Sequence, residues 1–291
     1  MDKVNPYFLK NPSLISFSGG RTSGYMLYQI LKAHDGKLPD DVFVVFANTG
    51  KEMPETLDFI QEVGDKWGID IRWLELDIHD ERPIFRSKEV NYETASRNGE
   101  PFEALIDRKM MLPNTVMRIC TVEMKIKVLA RFMRSNGFKE WDNVVGLRYD
   151  EPHRVARMKA NNDKDLESWF SLAPLYDAKV VVEDVSEFWN KSNFDLQLTN
   201  FNGKTPAGNC DLCYLKGVGT LTRVIKEKPE LADWWIAQEE KIRKHKEKMG
   251  SKYNAQFKNN ISFIELKEQA TAPNVMPELF PDDGTSCFCT D

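Results

Sequence analysis

The chain has 291 residues, of which 41% are hydrophobic and 29% are charged, so it can bury a core without disulfides or metal staples. Its formal net charge of −5 gives no overall attraction to nucleic acid or to an anionic membrane, so any anion site must be local. The chain contains no apolar run as long as a membrane span and no signal-peptide hydrophobic region at its start. We therefore expect a cytoplasmic protein with no membrane partner, whose five cysteines stay reduced.

The first part of the chain predicts alternating strands and helices. Residues 13–18 predict a short buried strand that ends at a glycine pair, and residues 22–32 follow with helical spacing. A second strand over residues 42–47 and a helix that begins near Pro54 repeat the unit, and residues 69–76 predict a third strand. Repeated units of this kind indicate a parallel sheet covered by helices, with ligands at the carboxyl ends of the strands.

The pattern is lost between residues 77 and 114, which we interpret as an irregular insertion that forms a lid. Helical spacing returns over residues 122–133, and residues 143–147 predict another buried strand. A short helix is predicted over residues 185–189, and residues 212–249 are predicted to be largely helical with a break at a proline.

These elements predict an α/β fold with an open, mostly parallel sheet and helices on both faces. The sheet domain is expected to occupy residues 1–205. Residues 206–291 are expected to form a helical, cysteine-bearing extension of the same domain.

A glycine pair lies in residues 16–23, which read Ser-Phe-Ser-Gly-Gly-Arg-Thr-Ser and join the first strand to the first helix. Glycines let the backbone approach an anion, hydroxyls donate further hydrogen bonds, and the free N–H groups of the following helix attract a phosphate. A plain turn between a strand and a helix also fits, because short glycine-rich matches are common.

Four segments, in order along the chain, resemble the phosphoadenosine phosphosulfate (PAPS) reductase branch of the adenine nucleotide alpha-hydrolase-like superfamily, which also contains the PP-loop ATPases. Residues 18–23 resemble its Ser-Gly-Gly-x-Asp-Ser loop, and residues 48–56 resemble its Asp-Thr-Gly-x-x-x-Pro-Glu-Thr segment. Residues 146–154 resemble a Gly-x-Arg segment, and residues 173–175 resemble a Pro-Leu pair before a late strand. The resemblance covers residues 13–190 and implies a site for an adenine nucleotide, namely PAPS, adenosine phosphosulfate (APS) or ATP.

The matching positions suit a nucleotide site on physical grounds. Thr49 and Gly50 end the second strand, where backbone groups at the edge of the sheet can read an adenine. Arg148 and Arg154 offer charged forks for phosphate or sulfate, and salt bridges to nearby acids are the alternative. Glu55 also suits the first turn of its helix, where a carboxylate favours the helix dipole. The resemblance assigns to nucleotide binding Ser16, Ser18, Gly19, Gly20, Arg21, Thr22, Ser23, Asn48, Thr49, Gly50, Glu55, Gly146, Arg148 and Arg154.

Two positions depart from the family pattern. Thr22 stands where the PP-loop ATPases carry an aspartate that helps to hold magnesium, and Asn48 replaces the aspartate of the reductases. The first departure counts against ATP pyrophosphatase chemistry, and the second leaves the substrate open.

Cys210 and Cys213 form a CxxC pair, in which a tight turn brings both sulfurs to one side for a single metal centre. Such a pair also suits redox chemistry. Cys120 and Lys125 match the first cysteine and the lysine of the Cys-Cys-x-x-Arg-Lys element in cluster-bearing sulfonucleotide reductases. Threonine and methionine replace the second cysteine and the arginine of that element, which leaves the ligand set one short.

The tail carries Cys287 and Cys289, and the reductases keep a catalytic cysteine near the C-terminus. The resemblance therefore implies Cys289 or Cys287 as the nucleophile. Iron is favoured over zinc because of the resemblance and because no histidine lies near a cysteine in the sequence, but an all-thiolate zinc site stays open. The ligands implied for a [4Fe-4S] cluster are Cys120, Cys210, Cys213 and Cys287.

The leading functional hypothesis is a sulfonucleotide reductase-like enzyme in which a C-terminal thiolate attacks an adenylyl sulfate and a thioredoxin-like reductant releases sulfite. The alternative is an ATP-dependent PP-loop sulfurtransferase that adenylates a nucleic acid or a nucleotide. The glycine pair and the basic run at residues 241–248 support this alternative, and Thr22 opposes it. Because a solvated helix face explains the basic run better, nucleic acid is the less favoured partner. A non-catalytic nucleotide or cluster sensor has no positive support in the sequence.

Overall fold

The computed structural model describes residues 5–164, 167–200, 205–251, 255–277 and 284. Within these residues, one sheet has the strand order β4-β3-β2-β1-β5-β6, and every neighbouring pair is parallel except β3 with β4. The predicted open, mostly parallel sheet is confirmed. The strands are β1 (Ser13–Ser16), β2 (Val42–Asn48), β3 (Ile71–Ile78), β4 (Phe85–Val90), β5 (Trp141–Val144) and β6 (Trp169–Leu172).

Helices separate most of the strands and follow the last one. A π-helical turn over Thr121–Ile126 runs directly into α4. The helices are α1 (Arg21–Ala33), α2 (Pro54–Trp67), α3 (Glu100–Lys109), α4 (Lys127–Ser135), α5 (Pro152–Asn162), α6 (Pro174–Asp177), α7 (Val182–Lys191), α8 (Val218–Glu227), α9 (Leu231–Lys248) and α10 (Phe263–Thr271).

The sheet is covered on both faces, because successive residues of a strand point to opposite sides. Ile15 of β1 belongs to a buried cluster with residues of α1, α2 and α7. Leu14 belongs to a second cluster, with residues of α3, α4, α8, α9 and α10. Both side chains are fully buried. The C-terminal helices therefore pack on the same core as the helices of the sheet domain.

The order of the strands determines where a ligand can bind. The chain builds outward from β1 to β4 on one side and then returns to add β5 and β6 on the other side. The carboxyl ends of β1 and β5 thus flank a topological switch point, outside which open α/β sheets bind their ligands. The glycine loop follows β1 at this edge, and the segment that contains Arg148 follows β5.

Four predictions about the elements were wrong. Residues 77–114 are not an irregular insertion but contain β4 and α3. β4 is an antiparallel edge strand of mixed polarity, so it shows no buried-strand pattern. β5 ends at Val144, earlier than predicted, and α8 begins at Val218 because residues 210–217 form turns. The Pro-Leu pair at Pro174 opens α6 after β6 and does not precede a strand.

The predicted break near Pro229 is confirmed, since it lies between α8 and α9. α5 and β6 were not predicted, because β6 has only four residues and α5 has a largely polar sequence. In the ranges that the structure describes, the helices are too short or too polar to cross a bilayer.

Candidate nucleotide and cysteine site

The glycine loop leaves the start of α1 open to an anion. Gly20 is the N-cap residue, and no side chain caps the first turn. Gly19 has a φ of +77°, and a Cβ there would lie 2.7 Å from both Ile60 Cδ1 and Thr56 Cγ2. Only glycine satisfies this backbone conformation and this close approach. The first N–H groups of the helix therefore have no side-chain cap, an arrangement that suits an anion.

Two serines fix the shape of this loop. The Ser18 and Ser23 hydroxyl oxygens lie 2.9 Å apart, and Ser23 Oγ donates to the Gly20 carbonyl at 3.0 Å. Ser23 is fully buried, and its hydrogen bonds join the loop to the first turn of the helix. Ser16 and Ser18 line a cavity at the carboxyl edge of the sheet.

The Arg21 side chain points away from the loop. Its Nε donates to Asp195 Oδ1 at 2.8 Å, its Nη1 donates to Thr205 Oγ1 at 3.0 Å, and its Nη2 donates to the Leu198 carbonyl at 3.1 Å. The side chain is 9% exposed. Its guanidinium thus fastens the segment around Asp195, and the backbone N–H is the part of Arg21 that lies at the start of α1.

Arg148 is held beside the glycine loop. Its Nη1 donates to Thr22 Oγ1 at 2.9 Å, and its Nε donates to Asp150 Oδ1 at 3.0 Å. Gly146 also lies beside the loop, since a Cβ there would be in ordinary van der Waals contact with Ser23 Cα at 3.4 Å. The salt bridge expected as the alternative role of Arg148 is present, and the same guanidinium still reaches the start of α1.

A cavity of about 180 Å³ lies between the sheet and the π-helical turn, α4 and α5. Trp141 and Trp169, paired across β5 and β6, stack along it with their ring centroids 5.4 Å apart. Arg154, which forms an ion pair with Glu151, also lines the cavity. The charged residues on its described lining are Lys125, Arg154, Arg157 and Glu167. The excess of cations provides local attraction for an anion in a chain whose net charge is negative.

Several lining residues of this cavity were not predicted from the sequence. Arg157 lies on α5, and Trp169 lies on β6, neither of which was predicted. Asn143 and Ser171 are paired across β5 and β6 and bring polar groups to the same wall. The pairing of two distant strands places these residues together, so no local sequence signal indicated them.

The end of β2 is closed by its own hydrogen bonds. The Asn48 amide donates to Glu75 Oε1 at 2.6 Å, and its Oδ1 accepts from the Gly50 N–H at 3.1 Å. Thr49 donates to Glu52 from its N–H at 3.0 Å and from its hydroxyl at 2.8 Å. An aspartate at position 48 would place a second carboxylate against buried Glu75, which accounts for the asparagine. The N–H groups of Thr49 and Gly50 are thus committed to the turn.

Glu55 lies in the first turn of α2, as the helix-dipole interpretation requires. Its Oε1 accepts from Lys228 Nζ at 3.1 Å. Its Oε2 is buried and has no hydrogen-bond partner among the residues that the structure describes. The carboxylate therefore connects α2 to the link between α8 and α9.

The CxxC turn lies directly against the end of β2. Cys210 Sγ is 3.4 Å from Thr49 Oγ1, and Cys210 forms an antiparallel bridge with Glu52. The Cys213 N–H donates to the Cys210 carbonyl at 3.3 Å, which closes the turn. The cysteine pair and the segment that resembles Asp-Thr-Gly thus form one structural unit.

Cys120 lies at the start of the π-helical turn, and its Sγ is 3.4 Å from the Tyr214 hydroxyl. Tyr214 directly follows Cys213, and all three cysteines contact the same buried cluster. Thiols of this kind are suitable donors for iron or zinc. In the described ranges, no three His, Cys, Asp or Glu side chains are grouped closely enough to hold a metal ion. The predicted tail residues Cys287 and Cys289 lie outside the described residues.

The basic run on α9 is largely paired with acids. Lys241 Nζ lies 2.8 Å from Asp107 Oδ1, and Lys244 Nζ lies 2.7 Å from Glu240 Oε1. Arg243 is paired with Glu247 in the same way. This arrangement agrees with a solvated helix face.

Comparisons with known proteins identify one domain family and two relatives of this chain. The phosphoadenosine phosphosulfate reductase domain matches residues 12–197. An uncharacterized nin region protein, ORF290, of Escherichia phage lambda is 30% identical over 227 residues, which cover 75% of this chain and 71% of that protein. The uncharacterized protein MJ0066 of Methanocaldococcus jannaschii is 23% identical over 249 residues, which cover 82% of this chain and 43% of that protein.

Two solved structures also match. A phosphate complex of PAPS reductase from Candida auris has a TM-score of 0.39 and 12% identity, with 62% of this chain and 72% of that chain covered. The U34-tRNA thiolase NcsA from Methanococcus maripaludis, with its [4Fe-4S] cluster, has a TM-score of 0.41 and 15% identity, with 87% of this chain and 77% of that chain covered. The domain match includes the glycine loop, the end of β2 and Arg148, and the chain therefore belongs to the phosphoadenosine phosphosulfate reductase domain family.

Proposed function

We propose that this protein is a PAPS reductase-like enzyme in which a thiolate attacks the sulfur of an adenylyl sulfate. One observation carries the proposal. Arg148 donates to Thr22 at the start of α1, so a cation lies where ATP-cleaving relatives place a carboxylate for magnesium. A guanidinium at this point suits a phosphosulfate, whose cleavage by a thiolate needs no metal at the phosphates.

The glycine loop and the cavity supply a binding mode for the nucleotide. The phosphate would accept from the first N–H groups of α1 and from Arg148. The adenosine would enter the neighbouring cavity, which shares Ser16 and Ser18 with the loop and has Trp141 and Trp169 along its wall. Lys125 and Arg154 would add positive charge along the same path. The sequence predicted that backbone groups at the end of β2 bind the adenine. The Thr49 and Gly50 N–H groups are already hydrogen-bonded within their turn, so this binding mode places the adenine in the cavity instead.

The nucleophile is proposed to be Cys289 or Cys287. Gly284 supports this choice, because a Cβ on it would lie 2.9 Å from the Gly217 nitrogen, four residues beyond Cys213. Cys287 follows Gly284 by three residues, a reach of at most about 11 Å. We propose that this reach is sufficient for the Cys287 thiol to act at the cysteine turn.

The reaction proceeds in two steps. The cysteine thiolate forms a bond to the sulfate sulfur, the bridging S–O bond breaks, and the adenine nucleotide leaves with its phosphate oxygen negatively charged. The resulting S-sulfocysteine is then attacked at its cysteine sulfur by a thiolate of a thioredoxin-like dithiol. Sulfite leaves with the electron pair, and the second thiol of the reductant resolves the mixed disulfide. Overall, sulfate sulfur is reduced by two electrons and a dithiol is oxidised to a disulfide.

The thiols of this site are donors of the kind that a [4Fe-4S] cluster needs, but in the described residues they are not grouped closely enough to hold a metal ion, so we propose that a cluster would draw them together. We propose Cys120, Cys210 and Cys213 as ligands, with Cys287 as the fourth ligand when Cys289 is the nucleophile. Bound there, the cluster would supply a polarising charge beside the sulfate end of the substrate.

Anaerobically purified protein is expected to be brown, with about four irons per chain. Cys210→Ala should lose the colour, and Cys289→Ala should keep it. Colourless wild-type protein without iron or zinc would contradict the metal site.

A second candidate is the ATP-dependent PP-loop sulfurtransferase. The cationic wall formed by Lys125, Arg154 and Arg157 favours it, since a triphosphate or a nucleic acid would also be attracted there. Its chemistry would release pyrophosphate from ATP and require magnesium.

One assay separates the two functions. With EDTA present, the reductase proposal predicts that PAPS or APS binds and that sulfite forms when a reduced dithiol is added. Pyrophosphate release from ATP that depends on magnesium and increases with RNA, without any sulfite, would establish the second candidate.

A further inference from the structure

A buried ion pair joins the nucleotide end of β2 to the CxxC turn. Lys51 Nζ lies 2.8 Å from Asp211 Oδ2, and their side chains are 8% and 4% exposed. The Asp211 N–H also donates to the Lys51 carbonyl at 2.7 Å. Lys51 follows the Asn-Thr-Gly segment, and Asp211 lies between the two cysteines. Main chain and side chain therefore connect the same two segments.

Both charged groups have further partners in this position. Asp211 Oδ1 accepts from Trp235 Nε1 at 2.9 Å and from the Leu212 N–H at 2.6 Å. The Lys51 ammonium lies 5.0 Å from the ring centroid of Trp234. A buried ion pair contributes little net stability compared with apolar residues of the same size, so stability alone does not explain it. In some proteins a buried polar or ionic group instead fixes the register of the segments that it joins, and this pair is in position to do so.

The joined segments are also in contact through the side chains of Thr49 and Cys210. Thr49 Oγ1 lies 3.4 Å from Cys210 Sγ and donates to buried Glu52. β2 itself contributes Phe46 and Ala47 to the cavity wall. A displacement of the cysteine turn would therefore move groups at the edge of the cavity.

We infer that Lys51 and Asp211 are positioning residues that couple the CxxC turn to a ligand in the cavity. The identity of that ligand, an adenine nucleotide, rests on the proposed function. A nucleotide that stabilises this end of β2 will slow the reaction of Cys213, which is partly exposed, with an alkylating reagent. Loss of the ion pair will free the turn and remove this protection, because the coupling is carried by contacts between the two segments.

The test measures thiol alkylation in metal-free protein. The rate at which iodoacetamide modifies Cys213 is followed by peptide mass spectrometry, with and without adenosine 3′,5′-bisphosphate. In the wild type, saturating nucleotide is expected to slow the modification by about 5–150-fold, the usual range of coupling between sites. Lys51→Met and Asp211→Asn should raise the rate without nucleotide by about tenfold and lose most of the protection. Lys51→Arg should retain the protection.

Controls separate coupling from damage to the fold. Lys241→Met removes another cation, paired with Glu103 and Asp107 on α3, and should leave both rates unchanged. If Lys51→Met unfolds, the double variant Lys51→Met with Asp211→Leu removes both charges and should fold with a fast, unprotected Cys213. Folded variants with wild-type rates and protection would overturn the inference. A wild type that binds no adenine nucleotide would contradict the proposed function, and the rates without nucleotide would still report whether the pair holds the turn.

Discussion

Arg148 Nη1 donates to Thr22 Oγ1 across 2.9 Å, which joins the segment after β5 to the first turn of α1. This contact brings a permanent positive charge to the free N–H groups of the helix. A carboxylate at position 22 would pair with that guanidinium and compete with an anionic ligand. The hydroxyl accepts a hydrogen bond and leaves the charge in place.

Removing this cation should weaken nucleotide binding. Arg148→Ala is expected to lower the affinity for adenosine 3′,5′-bisphosphate by about 10–150-fold, the loss that corresponds to one charge-assisted hydrogen bond of about 1.5–3 kcal/mol. Isothermal calorimetry in EDTA measures the effect. Arg72→Ala, on β3, is the matched control, since Arg72 pairs with Asp70 and Glu89. Equal affinities in both variants would place the nucleotide elsewhere.

Gly19→Ala should destabilise the fold through two separate effects. The φ of +77° costs about 1–2 kcal/mol for a residue with a Cβ, and the contacts at 2.7 Å with Ile60 and Thr56 add about 1–3 kcal/mol. Gly36→Ala isolates the first effect, because Gly36 has a φ of +82° and a Cβ there would meet no atom within 4 Å. Free energies of unfolding in urea check the difference. Equal losses in the two variants would show that the loop relaxes around the methyl group.

Arg21→Met should affect stability and leave nucleotide affinity almost unchanged. The substitution leaves the Asp195 carboxylate unpaired, and we expect a loss of about 2 kcal/mol, below the range for fully buried pairs because Asp195 is 33% exposed. Adding Asp195→Leu should recover part of this loss. Thermal unfolding and calorimetry in parallel distinguish the outcomes. Wild-type stability with lost affinity would instead make the Arg21 side chain a ligand of the nucleotide.

The stability of the chain should fall between about pH 4.5 and pH 7 because of Glu239. Burial raises the pKa of this carboxyl from 4.5 to about 7, although it accepts hydrogen bonds from the Phe257 and Phe263 N–H groups. The folded state therefore binds the proton more tightly than the unfolded state. Its contribution is fully favourable below the unfolded pKa and is lost as the pH rises through the folded pKa, by on the order of 3 kcal/mol.

Urea denaturation at several pH values tests this titration. Glu239→Gln should flatten the decline between pH 4.5 and pH 7, because the amide does not titrate. Glu240→Gln, on the exposed face of the same helix, should keep the decline, since Lys244 lowers the pKa of Glu240. A decline that is unchanged in Glu239→Gln would assign the titration to another group.

The sequence was most informative where the signals are local. The glycine pair at residues 19–20 and Pro54 at the start of α2 mark turns whose backbone geometry restricts the residue type. α2 therefore begins at the predicted residue, and α1 begins one residue before its predicted start. β4 was missed because an edge strand does not need an apolar pattern. The cavity wall contains Trp141 and Trp169, which come together because β5 pairs with β6. The spacing of residues along the sequence does not indicate which strands pair, so this contact was not predicted.

The same distinction holds within the site. Arg148 and Thr22 both lie in the family motifs, and in the structure they are in contact. The motif positions did not reveal that Arg21 and Asn48 use their side chains internally, because that depends on Asp195 and Glu75 from distant segments. Long-range partners decide whether a motif residue faces a ligand or the core.

The most direct test of thiolate attack on the sulfate is the mass of the intact chain after anaerobic mixing with PAPS or APS, without a reductant. Each chain is expected to gain one sulfonate group, located on Cys289 or Cys287 by peptide mapping, in the presence of EDTA. A reduced dithiol should then remove the group and release one sulfite for each modified chain. An unmodified chain, together with pyrophosphate released from ATP only when magnesium is present, would contradict the proposed reductase chemistry.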